Sequence, residues 1–132
     1  MNTTELMQRF RQFSTADLSF SPSDTGTISE VIFETKSLRI VLTRYSSKPD
    51  EIEVDVEVPL PPLQKTNDID VFKKFMDVMI DILEYLNRLR SSGFSIQLLR
   101  EEGILVASGN LRADADEPVF EVLGFLNRTW TI

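Results

Sequence analysis

From Asp68 to Arg90 the chain reads DIDVFKKFMDVMIDILEYLNRLR, a stretch without Gly or Pro that is apolar at helical spacing. Phe72, Phe75, Met76, Met79, Ile82, Leu83, Leu86 and Leu89 recur every three or four residues, which predicts one long helix with a broad apolar stripe. Val71, Val78, Ile80 and Tyr85 widen that stripe. At about 1.5 Å per residue the helix spans roughly 34 Å and carries more apolar side chain than one small sheet can cover. A second partner, such as another copy of the chain, is implied. Asn67 or Asp68 caps its start, Asp70 sits in the first turn, Arg88 and Arg90 suit the negative end of its dipole, and Gly93 supplies the stop.

Strand patterns flank this helix. Glu51 to Val58 alternates cleanly, with Ile52, Val54, Val56 and Val58 facing one way and Glu51, Glu53, Asp55 and Glu57 the other. One side is core and the other is water, the pattern of an antiparallel sheet covered on a single face. Before it, Thr27 to Glu34 and a run in which Leu38, Ile40 and Leu42 alternate with Arg39, Val41 and Thr43 read as a hairpin. After the helix, Phe94 to Leu99 and Ile104 to Asn110 form a second hairpin around Arg-Glu-Glu-Gly, with Gly103 placed for a positive φ. Pro59, Pro61 and Pro62 end the clean strand and stiffen the connection to the helix.

At the N-terminal end, Thr3 or Thr4 caps a short helix in which Leu6, Phe10 and Phe13 share a face. Ser14 to Gly26 reads as a loop on its Ser-Pro-Ser and Asp-Thr-Gly turn chemistry, with Leu18 and Phe20 touching core. Asp114, Asp116, Glu117 and Pro118 mark the start of a last helix that runs to about residue 128, before Trp130. The predicted fold is therefore a single α+β domain over residues 1–132: an antiparallel sheet with three helices, in the order α-β-β-β-α-β-β-α, with the long helix central.

Composition narrows the chemistry. The chain has no Cys and no His, which removes disulfides, thiolate or imidazole metal sites and the Ser-His and Cys-His dyads of most hydrolases. No catalytic residue, metal or cofactor is assigned. A net charge of −7 repels phosphate backbones and anionic lipid, so neither nucleic acid nor membrane is expected as a partner. No window is long and apolar enough for a membrane span and the N-terminus lacks a signal-like apolar run, so a cytoplasmic location is expected.

Asp24-Thr25-Gly26 is the active-site tripeptide of aspartic proteases, with Val122-Leu123-Gly124 as a possible companion element. Opposing that reading, Ser21-Pro22-Ser23 occupies the place of the apolar strand that should deliver the aspartate. Asp and Gly are also ordinary turn residues. The Glu51, Glu53, Asp55 and Glu57 ladder offers oxygen ligands to a hard cation, but alternate strand residues stand roughly 7 Å apart, which favours a solvated face.

In size, acidity and element order the chain resembles the class I type III secretion chaperones and the related YbjN-type domains. The motifs behind the resemblance are spaced Phe10 and Phe13 in an N-terminal helix, a Leu-rich second helix ending near Gly93, and the late Trp130. The resemblance implies a cytoplasmic homodimer without catalytic residues that holds an extended segment of a client protein. On this reading Phe72, Phe75, Met79, Leu83 and Leu86 form the dimer interface, and Leu6, Phe10 and Phe13 flank the client groove. Rival readings are a regulatory or structural domain without a client, and a divergent aspartic protease using Asp24.

Overall fold

The structure, a computed structural model, describes residues 4, 5, 8, 19–34, 38–60 and 67–112. Its frame is an antiparallel six-stranded sheet in the spatial order β1-β2-β3-β4-β6-β5. The strands are β1 (Ser19–Asp24), β2 (Ile28–Glu34), β3 (Arg39–Tyr45), β4 (Glu51–Pro59), β5 (Ser95–Leu99) and β6 (Ile104–Arg112). One helix, α1 (Ile69–Ser91), joins β4 to β5 and lies against β5 and β6. Thr4, Glu5 and Gln8 also have helical backbone.

The predicted three-helix order needs correction, because the described chain is mostly sheet and α1 is its one continuous helix among the described residues. The final helix over residues 118–128 lies outside the described residues. A second correction concerns Ser14 to Gly26, read from sequence as a loop: Ser19–Asp24 is a sixth strand, paired with β2 so that Pro22 faces Val31 and Asp24 faces Ser29. Proline is tolerated there because β1 is the outermost strand, where a missing N–H breaks no ladder.

In β4 Ile52, Val54, Val56 and Val58 are buried, and the register carries their face across the sheet. Val54 lies opposite Leu42 and Val56 opposite Ile40. Beyond these, Val31 pairs with Leu42 and Phe33 with Ile40, all four buried. On the other side of β4, Ala107 and Leu111 of β6 continue the same apolar layer. Burying such side chains contributes about 1.5–3 kcal/mol each and fixes the register, since a one-residue slip would expose the whole row.

Both ends of α1 carry the stop signals its sequence predicts. Asp68 accepts the Asp70 N–H at 2.9 Å, satisfying a donor that the first turn leaves orphaned. At the other end the Gly93 N–H donates to the Arg90 carbonyl at 3.0 Å and the Phe94 N–H to the Leu89 carbonyl at 3.1 Å, a Schellman motif. Gly93 takes φ +96°, which its missing Cβ permits. Phe94 and Leu89, brought together by this turn, are both buried.

Candidate functional site

Helix α1 has two apolar faces. Val78, Ile82, Tyr85, Leu86 and Leu89 are buried in the core, all from its C-terminal two-thirds. Burial pushes the Tyr85 phenol above its ordinary range, because the interior disfavours the phenolate. A different row stays open: Ile69 is 67% exposed, Phe72 49%, Met76 41%, Ile80 48% and Leu83 55%. At 100° per residue these five fall within ~80° of one another. Ile69, Phe72, Met76 and Leu83 sit at heptad a, d, a and a spacing, with half-buried Met79 at the intervening d. Single exposed apolar side chains are ordinary, whereas five in a continuous row along one helix are not.

Of the dimer-interface residues expected from sequence, Phe72 and Leu83 belong to this open seam. Phe75 and Met79 are half-buried, and Leu86 is part of the chain's own core. Ile69, Met76 and Ile80 are seam residues that sequence reasoning did not single out as interface. The helical period could not separate the two faces, because both are apolar. Leu6, Phe10 and Phe13, expected beside a client groove, lie outside the described residues.

A groove of about 710 Å³ opens between the C-terminal half of α1 and the strands beside it. Leu83, Leu86, Asn87 and Arg90 line it from the helix, and Phe94, Ser95, Ile96 and Leu105 from the sheet. Its lining is mixed: Leu83, Leu86, Phe94, Ile96 and Leu105 are apolar, Asn87 and Ser95 are polar, and Arg90 supplies a cation. The register puts Ile96 opposite Ala107 and Leu98 opposite Leu105, so these four share the helix-facing side of β5 and β6. Sequence reasoning missed this groove because it depends on β6 being inserted between β4 and β5, a pairing between distant segments.

Asp24-Thr25-Gly26 forms the β1–β2 turn. Asp24 Oδ1 accepts the Gly26 N–H at 2.9 Å, and Oδ2 accepts the Ser29 hydroxyl at 3.2 Å across the hairpin. The Thr25 N–H donates to the Ile28 carbonyl at 3.0 Å. These bonds make Asp24 a turn-closing residue. On the outer face of the sheet, Glu57 accepts from Arg39 Nη1 at 3.4 Å and Asp55 from the Ser108 hydroxyl at 2.7 Å. Arg39 Nε also lies 3.1 Å from Glu34 Oε1, an ion pair rather than a hydrogen bond. Partly exposed pairs of this kind contribute about 0–1 kcal/mol and pin the strands without forming a reaction centre.

Among the described residues no group of three or more carboxylates is close enough to hold a metal ion, and no helix is long and apolar enough to cross a membrane. Compared with known proteins, the chain matches no family model, no curated protein and no solved structure.

Proposed function

We propose that this chain is a non-enzymatic protein-binding domain that pairs with a second copy through the open seam of α1 and holds an extended segment of a partner protein. The observation that carries the reading is the seam itself. Ile69, Phe72, Met76, Ile80 and Leu83 are all more than 40% exposed along one side of a helix whose other side is already occupied by core. A seam at a/d spacing is what a second amphipathic helix packs into, and two copies related by a twofold axis supply it to each other. The absence of Cys and His from the chain agrees with a role in binding rather than catalysis. Secretion chaperones, which the sequence resembles in its acidity and its Leu-rich helix, act in this manner. The structural support here is the seam and the groove, not a shared order of elements.

Light scattering behind size exclusion tests the self-association. A particle mass of two chains at micromolar concentration supports the reading, and the mass of one chain throughout overturns it.

A further inference from the structure

We propose that the groove between α1 and β5 receives the partner segment by strand addition. Alternate apolar side chains of that segment enter the groove, and an acidic side chain toward its C-terminal end pairs with Arg90. This rests on the partner-binding half of the function proposed above; Leu83 belongs to both the groove and the dimer seam, and the other groove residues lie off the seam.

Strand β5 is the last strand of the sheet order and pairs only with β6 among the described residues. In an antiparallel pair, every second residue turns its N–H and C=O away from its neighbour, so the outer side of β5 carries a row of backbone groups with no strand partner among the described residues. Edge strands are normally guarded by proline, lysine or a bulge. At the opposite edge, β1 carries Pro22. Strand β5, with the sequence Ser-Ile-Gln-Leu-Leu, has no such guard, and its Leu98 is 46% exposed.

The groove meets this edge at Ser95 and Ile96. At about 710 Å³ it holds several side chains rather than one. A strand laid beside β5 directs alternate residues toward Leu83, Leu86, Ile96 and Leu105, the apolar part of the lining.

The sheet sets the direction and charge sets the chemistry. Every strand pair in the sheet is antiparallel, and an added strand that follows the rule runs from the Leu98 end of β5 to the Ser95 end. Its C-terminal end then arrives at Arg90, whose guanidinium makes no ion pair among the described residues. A cation without a carboxylate partner among the described residues, in a chain of net charge −7, selects a carboxylate. The occupant is thus an apolar-x-apolar-x-acid segment of about five residues, the length of β5.

The test uses the full chain and a degenerate pool of fluorescent, C-terminally amidated heptapeptides with apolar residues at the second and fourth positions and Glu at the sixth. Anisotropy should show saturable binding, and amide exchange should slow at residues 95–99. Arg90→Gln should weaken the Glu pool roughly tenfold, the worth of one charge-assisted contact, and leave a Gln-substituted pool unchanged. N-methylation of alternate peptide amides should abolish binding in one of the two phases and spare it in the other. The proposal is overturned by absence of saturable binding up to about 1 mM, by an Arg90→Gln variant of unchanged melting temperature that keeps the preference for Glu, or by binding that leaves residues 95–99 unprotected. Binding that protects only the α1 seam would remove the groove while leaving the protein-binding reading intact. Loss of the dimer with peptide binding retained would do the reverse.

Discussion

The ring of Phe94 lies directly over Gly109. A Cβ placed on Gly109 would stand 2.6 Å from Phe94 Cε1 and 2.9 Å from Cγ, closer than side-chain atoms approach. Gly109 sits in β6 opposite Val54, and the missing side chain leaves the hollow that the ring fills. The turn that ends α1 is thereby tied to β6, one strand in from the edge of the sheet.

Gly109→Ala should accordingly destabilise the fold by about 1–3 kcal/mol through overpacking. Phe94→Ala alone should cost about 3–5 kcal/mol through the cavity it leaves. With the ring gone the added methyl meets nothing, so the double variant should be no less stable than Phe94→Ala. Urea denaturation of the four proteins measures this coupling, and strict additivity would contradict the contact.

Asp68 closes the first turn of α1 through its bond to the Asp70 N–H. Asp68→Ala should cost about 1 kcal/mol, whereas Asp68→Asn or Asp68→Ser, which keep an acceptor, should cost a few tenths. Thermal melts of the three variants decide whether the cap or the charge matters.

Burial holds the Tyr85 phenol neutral above its ordinary value of 10.0. In the unfolded chain the same group ionises near that value, so above about pH 10 the unfolded state loses a proton that the folded state keeps. The stabilising effect of the neutral phenol is complete below that pH and is lost as pH rises, at up to about 1.4 kcal/mol per unit. Tyr85→Phe removes this component. Denaturation curves from about pH 9 to 11 should show a steeper decline for the parent than for the variant, and equal slopes would contradict it.

How much of this was legible in the sequence differs by element. Strand β4 announced itself because Glu51, Glu53, Asp55 and Glu57 separate its buried residues one by one. The long helix was equally plain, down to Asp68 and Gly93 at its ends. Strand β1 was hidden by Pro22 and its serines, whose turn preference yields to pairing with β2 at a sheet edge. The division of α1 into a core face and an open seam was hidden for a different reason. Ile82 and Leu83 carry similar hydrophobic weight in the sequence, and only the position of the sheet buries the first and leaves the second out.

The seam of α1 carries the central claim, and sedimentation equilibrium of the parent chain against Met76→Glu and Ile80→Glu variants tests it most directly. A twofold interface uses each position twice, so losing about 1 kcal/mol per side weakens the dimer roughly thirtyfold. The account predicts a parent dimer and variants shifted to monomer that remain folded, since neither side chain belongs to the core; their melting temperature should fall only by what dimerisation contributes. A parent chain that stays monomeric, or variants that dimerise as tightly as the parent, would contradict it.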